Sequence, residues 1–358
     1  MNSIICWKRE LQAAALGAVV LLSACQSGGL PPQPGTGSRP NVASGQLTVQ
    51  RARGWLAGPA YQPSGAAIPI PLGTPLPNYF GIAKKAGKFS PRAGAAYLYI
   101  ADQSSNQIDI FPFRGQRGPQ VGTITAGIDG PYGLWFDRRA QELYVANQVN
   151  NTVTVYSHGS VQPSRTYSQD LSRPLYPIVD SHGELYVGNA NNGTVVEYLA
   201  GSTNVYQVLQ TPGGEADGMA LDKHENLYVA YRNSGQGSIV EYAPGSTQGQ
   251  IIGMTLDQPQ GVVVDPKGNV VATETGSTNR IDVFPPGSTT ESLEVPMPSG
   301  SVATELAIDC QENALFVSGL YSGIVFGANY PLPGQSLFVK DTVSAIIQGT
   351  TIDYNQNF

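Results

Sequence analysis

Six short apolar runs, almost evenly spaced, constrain this chain more than any other feature. They read Leu98-Tyr99-Ile100-Ala101, Leu143-Tyr144-Val145-Ala146, Leu185-Tyr186-Val187-Gly188, Leu227-Tyr228-Val229-Ala230, Val270-Val271-Ala272-Thr273 and Leu315-Phe316-Val317-Ser318, with steps of 45, 42, 42, 43 and 45 residues. A second set of runs, each ending in aspartate, precedes five of these and recurs once at the C-terminus. It comprises Gly133 to Asp137, Pro177 to Asp180, Gly218 to Asp222, Gly261 to Asp265, Glu305 to Asp309 and Gly349 to Asp353. A third set follows, including Ile108 to Phe111, Val153 to Tyr156, Val195 to Tyr198, Ile239 to Tyr242 and Ile281 to Phe284. Runs so uniformly apolar suit strands buried on both faces, because a half-exposed strand would alternate.

Short β-rich runs repeating at a period in the forties imply an all-β, six-bladed β-propeller with four-stranded antiparallel blades. Composition agrees: only 13% of residues are charged, and 42 Gly, 27 Pro and 18 Tyr point to turns and strands. The run order fixes how the ring closes. The chain enters near Tyr97 at the second strand of a blade and ends on an inner strand, so the C-terminal strand is expected to complete the first blade. Each aspartate at the end of an inner run falls at a tight turn, where its side chain accepts backbone N–H bonds. The near-identical Ala200-Gly201-Ser202-Thr203, Pro244-Gly245-Ser246-Thr247 and Pro286-Gly287-Ser288-Thr289 are turns of the same kind.

Residues 1–24 read as a signal peptide. Lys8 and Arg9 precede an apolar stretch from Leu11 to Leu22, too short to span a bilayer, which runs into the lipobox Leu22-Ser23-Ala24-Cys25. Cys25 is the expected lipidation site, so the membrane partner is reached through acyl chains rather than a spanning segment. Gln26 after the cysteine favours the outer membrane of a Gram-negative host. Residues 25–91 form a Pro/Gly-rich tether, partly packed, and 92–358 the propeller. Cys6 and Cys25 belong to the leader and its lipobox, leaving Cys310 alone in the body as a small residue beside a turn. The formal charge is −6, and without Lys8, Arg9 and Glu10 the balance is 18 basic against 25 acidic residues, or −7. No basic run is left that could neutralise several phosphates, which argues against nucleic acid as a partner.

Pro131-Tyr132-Gly133-Leu134-Trp135-Phe136-Asp137, leading to Leu143-Tyr144-Val145-Ala146-Asn147 and Asn150-Asn151-Thr152-Val153, resembles the NHL-repeat and gluconolactonase-like six-bladed propellers. The resemblance covers about residues 92 to 358 and implies the fold. It does not choose a function, since such propellers include adhesion and scaffold proteins, lactonases and a streptogramin lyase. In the gluconolactonase type a divalent ion sits near the channel on Glu, Asn and Asp. By that resemblance Asn189, Asp217, Glu274 and Glu305 are candidate ligands for Ca²⁺ or Mg²⁺. The competing reading is structural: Asp102-Gln103-Ser104-Ser105-Asn106, Asn147-Gln148-Val149-Asn150 and Asn189-Ala190-Asn191-Asn192 repeat one turn, and repetition suits a cap.

His158, His182 and His224 all map to turns on the face opposite the expected channel mouth, away from where a lyase would need a histidine. Tyr132, Trp135, Tyr176, Tyr231 and Tyr321 fall near the mouth and are candidate anchors for a ligand. The expected function is a membrane-anchored, extracytoplasmic, non-catalytic module binding a protein, peptide or polysaccharide of the envelope. The alternative is a metal-dependent lactonase or lyase acting at the channel.

Overall fold

A computed structural model describes residues 47–49, 68–70, 89–91, 95–113, 120–233, 236–298, 301–308, 314–320, 324–331, 338–342 and 347–353. The leader, the lipobox with Cys25, and Cys310 and Tyr321 lie outside these residues. Six sheets follow one pattern of four antiparallel strands, in chain order in five of them. The second blade shows it: inner strand Pro131–Asp137, second Glu142–Asn147, third Thr152–Ser157 and outer Arg165–Tyr167. The inner strands of the third to sixth blades are Pro174–Val179, Glu215–Leu221, Pro259–Val264 and Val302–Ile308. In the first blade Ile347–Asp353 is the inner strand and pairs antiparallel with Tyr97–Asp102, followed by Gln107–Pro112 and Gly122–Ile124. The C-terminal strand therefore closes the ring, and each inner strand packs against the next, from the first blade round to the sixth and back.

The doubly buried runs are the reason for this arrangement. Leu98, Ile100, Leu134, Val145, Val187, Val229, Val271 and Val317 are all fully buried between adjacent blades. A side chain of this size contributes about 1.5–3 kcal/mol when buried, so the blades hold together mainly through their faces. Phe89 extends that core towards the N-terminus, its ring set edge-on to Tyr97 at 4.8 Å. Leu47–Val49 and Ile68–Ile70 pair as a separate antiparallel ladder.

Three polar devices repeat around the ring. The aspartate ending each described inner run caps the turn that follows: Asp180 Oδ1 accepts from His182 and Glu184 N–H, Asp222 Oδ1 from His224 and Asn226, and Asp265 Oδ1 from Lys267 and Asn269. Asp137 does the same for Arg139. The tyrosine ending the third strand reaches back to the preceding blade. Tyr156 donates to the Ala126 carbonyl at 2.6 Å, Tyr242 to Gln210 at 2.6 Å, and Tyr198 to Gln169. Finally, Asn106, Asn151 and Asn279 adopt positive φ between second and third strands, and their Oδ1 atoms accept from N–H groups entering the next blade, Gly130, Arg173 and Ala303. Each bond of this sort is worth about 1 kcal/mol, and those made by the tyrosines and asparagines cross a blade boundary and so couple the blades.

Candidate functional site

Inner strands begin, and second strands end, on one face of the ring, which defines the channel mouth. The residues closing the second strands hold this face in shape. Asn147 Oδ1 accepts from Asp129 N–H at 3.0 Å, Asn189 Oδ1 from Ser172 at 2.9 Å and Glu274 Oε1 from Asp257 at 2.9 Å. These are equivalent bonds in three blades, each fastening the end of a second strand to the loop that enters the same blade. Asp102 caps its own turn by accepting from Ser105 N–H at 2.9 Å. Glu274 is further held by Thr278 and by Arg280, whose Nε lies 2.9 Å from its Oε2.

Beneath the mouth every inner strand carries a β-bulge, two residues facing one on the second strand. The register breaks between Pro131 and Leu134, Pro174 and Tyr176, Ala216 and Met219, Pro259 and Val262, Ala303 and Leu306, and Ile347 and Thr350. The first bulge position holds Tyr132, Leu175, Asp217, Gln260, Thr304 and Gln348, all buried. The second holds glycine in four blades. A Cβ on Gly133, Gly218, Gly261 or Gly349 would lie 2.2–2.4 Å from a carbonyl oxygen of the next inner strand, so glycine is what lets neighbouring inner strands close up. The other two blades place Tyr176 and Glu305 there.

These side chains converge on the channel. Tyr132 of the second blade, Asp217 of the fourth and Glu305 of the sixth come from alternate blades, yet lie within electrostatic reach of one another, as does Tyr176 of Glu305. Such mutual proximity across the ring requires them to point at its axis, and we call this constriction the throat. Burial, then the charges of Asp217 and Glu305, holds the Tyr132 phenol well above its ordinary value, with Arg232 opposing. Burial and the neighbouring Asp217 charge likewise push the Glu305 carboxyl well up. Asp217 is raised to about 7, chiefly by burial and against the pull of Arg232.

Asp217 Oδ2 lies 3.3 Å from the Arg232 guanidinium, but at an angle that makes no hydrogen bond, and both of its oxygens lack a donor. Gln260 Oε1, Glu305 Oε1 and Gln348 Oε1 also lack one. Buried polar atoms almost always find a protein or water partner, so this set of oxygens in one constriction is where water or a ligand has to supply the donors. Above it Glu215 binds Arg232 at 2.6 and 2.8 Å and Arg173 at 3.1 Å, a half-exposed ionic rim.

Of the four ligands expected from the resemblance, Asp217, Glu274 and Glu305 do not bring their carboxylate oxygens within 4.8 Å of one another. Among the described residues only Asp180, His182 and Glu184 bring three His, Cys, Asp or Glu ligand atoms within 4.8 Å of one another. That trio is the turn capped by Asp180, on the opposite face with His158 and His224. Asp217 and Glu305 share the throat, whereas Asn189 Oδ1 and Glu274 Oε1 accept from backbone N–H groups and Glu274 Oε2 is held by Thr278 and Arg280. The aromatic candidates also divide. Tyr132 is buried against Leu175 and Ala190, and Tyr176 in the core between the third and fourth blades, each within electrostatic reach of Glu305; Trp135 packs between the second and third blades, and Tyr231 is half-buried in the fourth. Gln260 and Gln348 did not stand out in the sequence; their position beside a repeated glycine is the signal that finds them.

No protein-family model matches the chain, and no curated protein does. Solved structures do. One titled as a nidogen/laminin complex aligns with a TM-score of 0.61 and 17% identity, covering 73% of this chain and 99% of that one. A hydrazine synthase of Kuenenia stuttgartiensis aligns at 0.51 with 12% identity, over 65% of this chain and 73% of that one. At these identities the likeness is one of fold, the six-bladed propeller, and the resemblance to NHL-repeat and gluconolactonase-like proteins extends no further than that.

Proposed function

We propose that this chain is an extracytoplasmic lipoprotein, anchored through Cys25, whose propeller is a non-catalytic binding module for a protein or peptide of the cell envelope. The observation that carries this reading is the convergence of donor-less, buried oxygens beneath a preformed ionic rim. A rigid ring with a few convergent polar groups is the usual form of a recognition site. The similar structure from a nidogen/laminin complex is a precedent for the fold within a protein complex, though not for this chain's partner. A lactonase or lyase reading needs a divalent ion surrounded by six or more oxygens, and the spacing of Asp217, Glu274 and Glu305 does not favour one.

Two experiments test the proposal. Palmitate labelling of the full-length chain should be lost in Cys25→Ser, with the protein released from the membrane fraction. A photo-crosslinker at Val149, 64% exposed on a mouth turn, should capture one defined envelope partner, and one at His182 on the opposite face should not. Equal capture from both faces, or none from Val149, would reject the mouth as the binding face.

A further inference from the structure

We propose that the throat takes a single organic cation, the ammonium or guanidinium head of a Lys or Arg side chain presented by the partner, with Glu305 as its counter-ion. This rests on the binding-module reading above and names the chemistry of its central contact.

The first argument is the hydrogen-bond inventory. The carboxylate atoms left without donors in the throat are acceptors, both oxygens of Asp217 and Oε1 of Glu305, with Oε1 of the Gln260 and Gln348 amides beside them. Lys and Arg heads are donors only, three and five N–H respectively, so they are complementary to such a set, while an anion or a carbonyl ligand is not. The second is charge. Asp217 has Arg232 at 3.3 Å, but Arg232 is already committed to Glu215 at 2.6 Å, and Glu215 also engages Arg173. Two guanidinium groups thus face three carboxylates, Glu215, Asp217 and Glu305, and the one left over is Glu305, which is 2% exposed and has no basic group among the neighbours that act on it.

The third argument concerns shape. Tyr132 and Tyr176 line the same space, and their phenols stay neutral because burial drives them well above the ordinary tyrosine value. Aromatic walls favour an organic cation, which gains from the ring faces, and offer little to a hard metal ion. The carboxylates, moreover, are not drawn to one ligand point. Arg232 is an internal example of the fit, a guanidinium that already reaches Asp217. Burial and the Asp217 charge raise the Glu305 carboxyl, and a cation beside it acts in the opposite direction, so binding shifts that carboxyl towards its charged form and any proton it gives up passes to solvent.

Isothermal titration calorimetry of the full-length chain at pH 7.5 tests this, with n-butylammonium, n-butylguanidinium and CaCl₂ as probes, each in two buffers of different ionisation enthalpy. At least one organic cation should bind with a stoichiometry of one and release protons rather than take them up. Glu305→Gln should weaken it at least tenfold and abolish the proton release. Arg232→Gln, which frees the second carboxylate, should strengthen it, a gain that misfolding cannot imitate. Failure of both organic cations to bind, binding unchanged in Glu305→Gln, or binding of Ca²⁺ alone would overturn the proposal, the last in favour of a metal site. Capture from Val149 that persists in Glu305→Gln and in the presence of n-butylammonium would remove this inference and leave the binding module standing. Cation binding without any capture from Val149 would do the reverse.

Discussion

Replacing Asp217 by Asn should make the propeller more stable at neutral pH and change little in acid. The Asp217 carboxyl is wholly buried and is raised from 3.8 to about 7. Between those values the folded chain holds a proton that the unfolded chain has lost, so stability falls as pH rises, by up to about 1.4 kcal/mol per pH unit. The full loss, on the order of 4 kcal/mol, is reached above about pH 7 and is absent below about pH 4. Asn keeps the shape and stays neutral at every pH, and Arg232 keeps its two bonds to Glu215. Asp282 and Glu305 are also raised and slope the same way, so the informative quantity is the difference between variant and parent. Urea unfolding from pH 4.5 to 8 measures it: near-equal midpoints at pH 4.5, and a variant midpoint higher by roughly 1 M or more at pH 8 if the urea slope is about 3 kcal/mol/M. A midpoint difference that is constant with pH, or a variant weaker at pH 8, would refute the idea that Asp217 is a buried, under-compensated acid.

Gly218→Ala should destabilise by about 1–3 kcal/mol or more, because its Cβ would meet the Gln260 carbonyl at 2.2 Å and backbone cannot yield as a side chain can. Thermal melting should show a drop at least twice that of Gly188→Ala, whose Cβ meets backbone at 3.1 Å; equal drops would deny that the bulge glycines set inner-strand spacing. Tyr156→Phe and Tyr242→Phe should each cost about 1 kcal/mol by stranding a carbonyl, and the double variant should be additive because the sites lie on separate blades. Unchanged urea midpoints would dismiss the hydroxyls as blade latches. Removing residues 349–358 strips four pairs from Tyr97–Asp102 and uncovers Leu98 and Ile100, so the whole ring should lose its cooperative melt rather than one blade fraying; a normal melt would mean closure does not depend on this strand.

Much of this fold is legible in the sequence because each blade solves the same problem with the same residues. Leu143 to Ala146 and its five counterparts are apolar throughout since both of their faces are covered, and the order of runs from Tyr97 to Asp353 leaves only one way to close the ring. Asp137, Asp180, Asp222 and Asp265 read correctly as turn caps because a carboxylate at the end of a strand has backbone donors within two to four residues. What stays hidden is facing. Tyr132 and Trp135 sit three residues apart in one run, yet the bulge at Tyr132-Gly133 resets the alternation, sending Tyr132 to the throat and Trp135 between blades. Asn189 and Glu274 look like ligands by residue type alone, and only the positions of Ser172 and Asp257 reveal where their oxygens are spent.

The two places where the repeat departs from its own rule are therefore the most informative. Four inner runs open with Gly133, Gly218, Gly261 and Gly349, where packing against the next strand penalises any side chain. Tyr176 and Glu305 stand at the same point of the third and sixth blades, on opposite sides of the ring, and come within electrostatic reach of each other across the channel. A packing requirement alone would have put glycine there too. An ionisable side chain held at a position built for none, with a carboxyl oxygen that no protein group satisfies, lowers stability and is explained by what it binds. The same reasoning separates Glu305 from the turn aspartates: Asp180, Asp222 and Asp265 have their N–H donors in the chain, whereas the donors for Glu305 Oε1 come from outside it, from water or from the cation proposed above.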